Sequence, residues 1–174
     1  MLLLYNFQHF ARDICLTTHQ KGFTLLELVI TIIILGALAV FTFSSWTGST
    51  INLGGQTQQL ANDIRYAQSL AMTKGQRYRW IKTSSNTYQI QNSSGTAITL
   101  ATGSTTVTLN SGISFGALSN LPNSLVNFDG AGVPYTDTGS PGTALSSTAS
   151  IPLTSGSDTT TVTVTSSTGR VSVQ

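Results

Sequence analysis

The sequence is short of the side chains that carry most enzyme chemistry. Its 174 residues hold one cysteine and two histidines, and all three (Cys15, His9 and His19) precede residue 23. Residues 23–174 therefore offer no thiol or imidazole for nucleophilic catalysis, general acid–base catalysis or metal ligation. A disulfide within that segment is impossible as well, so an oxidising compartment is permitted but not required.

Charge is also scarce, at 8% of residues. The acids after residue 22 are scattered, with no pair at the spacing of a catalytic dyad or an EF-hand loop; they are Glu27, Asp63, Asp129, Asp137 and Asp158. Asp129-Gly130 and Asp137 suit either a calcium loop or ordinary turns, and turn residues are the simpler interpretation. We therefore predict that the protein is not an enzyme, with no catalytic residues, no metal and no cofactor.

What the chain does have is one long apolar run. Phe23–Phe43 covers 21 residues with Glu27 as its only charge. At about 1.5 Å per residue a helix of this length spans ~31 Å, the thickness of the hydrocarbon core of a bilayer. The run predicts a single membrane-spanning helix with a carboxylate near its start.

Glu27 has two interpretations. A charge at the centre of a membrane helix costs about 2.5–3.5 kcal/mol and less near the end, so Glu27 suits an interfacial acid that snorkels to the headgroups. Alternatively, it awaits a cationic partner within a bundle of helices. If the chain were cut between Gly22 and Phe23, the α-amino group of one subunit could pair with Glu27 of a neighbour.

The residues Gly22-Phe23-Thr24-Leu25-Leu26-Glu27 resemble the prepilin cleavage and methylation motif of type IV pilins and type II secretion pseudopilins. The resemblance implies that a prepilin peptidase cuts after Gly22 and methylates the amine of Phe23. It also implies that Glu27 acts in subunit assembly and that the N-terminal helix contacts other pilins or pseudopilins. On this interpretation residues 1–22 are a cleaved leader and residues 23–43 form a transmembrane and assembly helix.

The placement of charge predicts the orientation of the chain. Arg12 and Lys21 precede the apolar run, whereas residues 44–48 after it are uncharged. The positive-inside rule then keeps the N-terminus in the cytoplasm. With the resemblance, this predicts a single-pass protein of the bacterial inner membrane whose head, residues 44–174, is periplasmic.

An amphipathic helix is predicted from about Gln56 to Thr73. Its apolar side chains repeat at helical spacing, and they are Leu60, Ile64, Ala67 and Ala71. Lys74-Gly75 is a stop signal. Gly48 and Gly54-Gly55 disfavour helix by about 1 kcal/mol each, so one long N-terminal helix is expected to be loosened or broken near them.

After Gly75 the hydrophobic period becomes two, which is typical of strands. The predicted strands are 77–81, 87–91, 105–109, 125–128 and a final hairpin of 161–165 with 170–173. Between Thr136 and Ser157, Leu145, Ile151 and Leu153 predict an ordered loop and a strand. The fold class is therefore α+β: a long N-terminal helix packed on an antiparallel β-sheet head.

The resemblance extends beyond the anchor. Leu60–Lys82 resembles the helix and first strand of GspH/FimT-type minor pseudopilins and pilins, and Phe128–Pro134 and Thr168–Val171 resemble two later turns of that family. It implies a helix packed on two antiparallel sheets. It further implies a minor subunit near the tip of a pseudopilus or pilus.

One basic cluster suggests a second function. In a strand beginning at Arg77, Arg77 and Arg79 share one face, while Tyr78 and Trp80 lie on the other. The arginines are either phosphate contacts or a solvated face over a core. The candidate DNA-binding residues are Lys74, Arg77, Arg79, Lys82 and Arg170, the last only if the final hairpin lies beside the first strand. A formal net charge of +2 is mild for a nucleic-acid-binding protein.

Three functional hypotheses follow. The first is a minor pseudopilin that initiates or caps the pseudopilus of a type II secretion system. The second is a minor type IV pilin whose head binds DNA or a surface, contributing to uptake, adhesion or motility. The third is an ordinary single-pass membrane protein in which Phe23 never becomes an N-terminus.

Overall fold

The first helix, α1 (Leu25–Ser44), begins where a threonine supplies its cap. The computed structural model describes residues 23–44 and 48–174. The Glu27 backbone N–H donates to Thr24 Oγ1 at 3.2 Å, and the Leu28 N–H donates to the Thr24 carbonyl at 3.2 Å. Threonine with glutamate three residues later is a typical helix start, and the acid lies at the positive end of the helix dipole.

Side chains are described for residues 23–38 of this segment, and all of them are exposed. None of the helices in the described ranges meets the combined length and hydropathy expected of a membrane span. That residues 23–43 cross a membrane stays a prediction. The predicted leader, residues 1–22, lies outside the described residues.

The chain divides into two compact units between Trp46 and Thr47, and the second begins with helix α2 (Gly48–Lys74). The helix starts earlier than predicted and continues through Gly54-Gly55. Packing offsets the low helix propensity there, because Leu53 is buried and its carbonyl also accepts a bond from the buried Thr57 hydroxyl at 2.7 Å. The predicted stripe of Leu60, Ile64, Ala67 and Ala71 is fully buried.

Nine strands in two antiparallel sheets follow the helix. Gly75 (φ +62°) ends α2 in the left-handed conformation that favours glycine. The strands are β1 (Tyr78–Lys82), β2 (Thr87–Asn92), β3 (Val107–Thr108), β4 (Ile113–Phe115), β5 (Leu125–Phe128), β6 (Pro134–Tyr135), β7 (Ala149–Ser155), β8 (Asp158–Val164) and β9 (Val171–Val173). The first sheet has the order β3-β2-β1-β5-β6 and the second β4-β7-β8-β9.

The predicted fold class is confirmed, since α2 packs against strands of both sheets. All the predicted strands form, although 105–109 shortens to Val107–Thr108. The two strands absent from the prediction, β4 and β6, have three and two residues. Runs this short carry no readable period, and their partner strands hold them in place.

An aromatic cluster joins the two sheets within the core. Trp80 of β1 and Tyr88 of β2 lie with ring centroids 6.1 Å apart. Phe115 of β4 meets them edge-on at 5.8 and 6.1 Å, a favourable geometry for aromatic pairs. Trp80 is fully buried and Tyr78 is packed against the core, so both aromatic residues lie on the core side of β1.

Candidate functional site

The basic residues of β1 separate by face. Arg79 pairs with Gln91 of β2 and Asn127 of β5, and these three side chains lie on the face of the first sheet opposite Trp80. We call this the outer face. Arg77, just before β1, lies over the Tyr135 ring, with its Cζ 4.4 Å from the ring centroid. Arg77 and Arg79 therefore share a face, as predicted.

Arg77 is occupied by a loop of its own chain. Its guanidinium donates from Nη1 to the Gly139 carbonyl and from Nη2 to the Pro141 carbonyl. Bonds to two carbonyls and stacking on Tyr135 fix the guanidinium plane. The first role of Arg77 is thus to hold the segment Thr136–Thr143, which we call the outer loop, over the sheet.

Hydrogen bonds within the outer loop also stabilise its conformation. The Asp137 carboxylate accepts bonds from the N–H of Gly139 at 3.1 Å and of Thr143 at 2.9 Å. Hydrogen bonds from the Thr143 side chain and from both backbone groups, together with the charge of Arg77, lower the pKa of Asp137. The buried Asn127 side chain donates to the Asp137 carbonyl at 2.9 Å and ties the loop to β5.

A cavity of about 300 Å³ lies between the outer loop and the strands. Arg77 and Arg79 both line it, but the Arg77 guanidinium is bonded to the outer loop, and the other polar side chains of the lining are hydroxyls and amides. The lining includes Gln76, Arg79, Ser93, Asn127, Thr138 and Ser140. We call this cavity the Arg79 pocket. An arginine ringed by neutral donors is chemically suited to an oxyanion.

The remaining basic residues lie elsewhere. Lys82 alternates to the other face of β1, with its Nζ 5.7 Å from the Phe115 ring centroid. Lys74 is at the exposed end of α2. Arg170 precedes β9, which pairs with β8 in the second sheet, so the condition that the final hairpin lies beside the first strand is not met. The structure brings together two of the five candidates.

The acids considered for a calcium loop act within their own turns. Asp129 Oδ1 accepts bonds from the N–H of Ala131 and Val133, both at 2.9 Å, and Oδ2 accepts one from the Tyr135 hydroxyl at 3.2 Å. The described residues contain no group of three acidic, histidine or cysteine side chains placed to hold a metal. The turn interpretation accounts for both aspartates.

Sequence reasoning missed one half-buried polar pair. The Tyr88 hydroxyl donates to Asp63 Oδ2 at 2.6 Å, joining β2 to α2. Burial raises the pKa of Asp63, an effect that the tyrosine bond opposes; burial and the neighbouring carboxylate raise the pKa of Tyr88 above its ordinary range. The helical spacing could have indicated this pair, because Asp63 lies beside the buried stripe of α2 and so near the core.

Two turns that sequence analysis singled out meet at one side chain. The Gln68 amide of α2 donates to the Gly132 carbonyl at 3.0 Å and to the Thr168 carbonyl at 3.1 Å. Gly169 has φ +63°, and a Cβ there would lie 2.5 Å from Gln68 Nε2 and 2.7 Å from the Gly132 oxygen. Only glycine fits this approach.

The predicted processing and assembly residues flank the start of α1. Phe23 is 81% exposed and lies outside the helix. Glu27 is exposed in the first turn. Gly22 lies outside the described residues.

Comparisons with known proteins agree with this architecture. Residues 17–43 match the prokaryotic N-terminal methylation motif, and residues 56–169 match the family of type II transport protein GspH. The comparison with curated proteins gave no match.

Two solved structures have the same fold. The type IV minor pilin FimU of Pseudomonas aeruginosa aligns with a TM-score of 0.52 at 12% identity, over 73% of this chain and 91% of that one. The minor pseudopilin EpsH of the Vibrio cholerae type 2 secretion system aligns with a TM-score of 0.52 at 11% identity, over 71% and 96%. The family match covers more than half of the sequence, and the chain therefore belongs to the GspH family.

Proposed function

We propose that the protein is a minor pseudopilin that initiates or caps the periplasmic filament of a type II secretion system. The observation that carries this proposal is the presence of an N-terminal methylation motif and a GspH head in one chain. From Leu25 onward the motif lies on α1, whose described apolar side chains are all exposed. Such a helix suits packing among other subunits, while the head keeps its own core. The role proposed is structural rather than enzymatic.

Maturation is the first step of this function. A prepilin peptidase cuts between Gly22 and Phe23 and methylates the Phe23 amine. The exposure of Phe23 outside α1 supports this, because a new amino terminus there is free to be modified. Glu27, in the exposed first turn of the same helix, then pairs with the amine of a neighbouring subunit.

Before assembly the chain sits in the inner membrane. Residues 23–43 form its anchor, with Arg12 and Lys21 on the cytoplasmic side and the head in the periplasm. The anchor then moves into the helical bundle of the filament, near the tip. Partners are the peptidase and other pseudopilins, which meet this subunit through the N-terminal helix.

Deleting the gene and quantifying secreted and periplasmic proteins tests the role. We expect exported enzymes to disappear from the medium and accumulate in the periplasm, with rescue by the wild-type gene. A Gly22→Val variant should fail to rescue, and mass spectrometry should find no methylated Phe23 at its N-terminus. An unchanged secretome would reject the secretion role. An unprocessed wild-type chain would favour an ordinary single-pass membrane protein.

The second candidate is a minor type IV pilin whose head binds DNA or a surface. One observation favours it: Arg77 and Arg79 share the outer face. Salt-sensitive DNA binding that is lost in an Arg77→Ala, Arg79→Ala double variant would support this candidate. A Lys82→Ala, Arg170→Ala double variant is the matched control, because it removes the same charge from residues that lie away from the outer face.

A further inference from the structure

In the Arg79 pocket, the Arg79 guanidinium forms a hydrogen bond with the described part of the protein through one of its nitrogens. Arg79 Nε donates to Gln91 Oε1 at 2.9 Å. The Gln91 amide in turn donates to Gln89 Oε1 at 2.9 Å, so the acceptor is held in place. Arg79 makes no ion pair with a carboxylate in the described ranges. Nη2 lies beside Gly95, where an added Cβ would be 2.9 Å away, and the terminal N–H groups that face the pocket are available to an external acceptor.

No acidic side chain is among the lining residues of the pocket. Asp137 is engaged by the N–H groups of its own loop, and Arg77 by the loop carbonyls. What remains around the Arg79 fork is neutral and polar: the hydroxyls of Ser93, Thr138 and Ser140 and the Gln76 amide. A positive group among uncharged hydrogen-bonding groups favours an anion that also carries hydroxyls.

The size of the site and the positions of the other cations limit the ligand. A volume of about 300 Å³ is at the lower end of small-molecule pockets. A nucleic acid strand requires a row of cations along its backbone. Lys82 lies on the opposite face and Arg170 precedes a strand of the second sheet. These positions suit a single compact group better than a polymer.

We propose that the Arg79 pocket binds one compact oxyanion, the carboxylate or phosphate of a small polar molecule such as an acidic monosaccharide. The Arg79 fork holds two oxygens of the anion, and the hydroxyls of the outer loop bond the rest of the ligand. The pocket belongs to the head and does not depend on which filament the subunit joins. Failure of this proposal would leave the proposed secretion role untouched, since the secretome experiment does not probe the pocket.

Amide NMR titration of the full-length protein in detergent micelles tests the pocket. The probes are D-galacturonate, D-galactose, inorganic phosphate and a duplex oligonucleotide, at constant ionic strength. We expect saturable shifts at Ser93 and Thr138 with galacturonate or phosphate and none with galactose, which lacks the carboxylate. Galacturonate alone identifies a sugar acid, and phosphate alone identifies a phosphate group. The absence of saturable shifts with either anion would overturn the proposal.

Two variants of equal charge locate the site. Arg79→Gln should weaken anion binding by ~10-fold or more, whereas Lys82→Gln should leave it unchanged. A pocket-filling Thr138→Tyr variant at an exposed loop position should also block binding, with the charge intact and without disturbing the sheet. Equal losses in Arg79→Gln and Lys82→Gln would indicate a diffuse surface. Duplex binding that is lost in Arg79→Gln and kept in Lys82→Gln would assign the outer face to nucleic acid, and either result overturns the pocket.

Discussion

Leu35 of α1 and Leu60 of α2 are the same residue on helices of the same chain, yet the first is 65% exposed and the second is fully buried. The difference extends to their surroundings. The bulky apolar side chains described in residues 23–38 are exposed, whereas one face of α2, with Leu53, Leu60 and Ile64, is buried in a core closed by two sheets. The head satisfies its own apolar surface, and the N-terminal helix presents its apolar surface outward.

This contrast assigns different dependencies to the two units. Fully burying a leucine or isoleucine is worth about 1.5–3 kcal/mol. The head gains that energy when it folds. The N-terminal helix gains it from its surroundings, which under the proposed function are first lipid and then neighbouring helices.

The largest expected effect tests the outward-facing helix. Glu27→Gln preserves side-chain shape but removes the charge, so incorporation into filaments should fall by at least about tenfold while head unfolding stays unchanged. Recovery of the subunit with sheared or cross-linked filaments measures this. Thr24→Ala is the control: it removes the cap, at about 1 kcal/mol of helix stability, and retains the charge. Equal incorporation of Glu27→Gln and wild type would contradict a pairing role.

The next effect compares the two leucines directly. Leu60→Ala should lower the free energy of unfolding of the head by about 2–5 kcal/mol, because it opens a cavity in a closed core. Leu35→Ala should change it by less than about 0.5 kcal/mol. Urea denaturation monitored by tryptophan fluorescence gives both values. Similar losses in the two variants would contradict the conclusion that only Leu60 contributes to the core of the head.

A smaller effect sharpens the account of the head core. Tyr88→Phe removes the bond to Asp63, and an ionised carboxylate that lacks its donor should cost about 1–3 kcal/mol at pH 7. Burial raises the pKa of Asp63, so its carboxyl group is protonated more readily in the folded state. The stability lost in Tyr88→Phe should therefore shrink as the pH falls through that pKa, because the protonated group no longer carries a charge. Denaturation at pH 7 and in mild acid measures the difference. A penalty that is the same at both pH values would exclude this linkage.

The smallest effect is local to the outer loop. The pKa of Asp137 is lowered in the folded state, so its stabilising bonds are present above the unfolded pKa and are lost as the pH falls through the folded one. Asp137→Asn should reduce hydrogen-exchange protection of the Gly139 and Thr143 amides at neutral pH. The difference from wild type should vanish in acid. Unchanged protection at neutral pH would mean that other contacts order the loop.

Local pattern was sufficient for much of the fold. The spacing of Leu60, Ile64, Ala67 and Ala71 identified the buried face of α2, and the alternation around Val162 and Val171 identified the last hairpin. It was not sufficient for the start of α2. Gly54 and Gly55 have low helix propensity, and the burial of neighbours such as Leu53 compensates for it.

Sequence alone predicted only the part of the candidate site that lies within a single strand. Alternation placed Arg77 and Arg79 on one face, opposite Trp80. The outer loop is more than fifty positions further along the chain, and no local signal links Gly139 to Arg77. The partnership of Tyr88 with Asp63 is equally non-local. Such contacts depend on how the sheets pack on the helix.

The Gln68 amide has a mechanical consequence. One side chain of α2 grips a turn of the first sheet through Gly132 and a turn of the second through Thr168. Force along the helix is therefore transmitted to both sheets at the same side chain. Sliding of one sheet against the other would have to break these two hydrogen bonds. For a subunit of a growing filament, the head responds to tension as one piece.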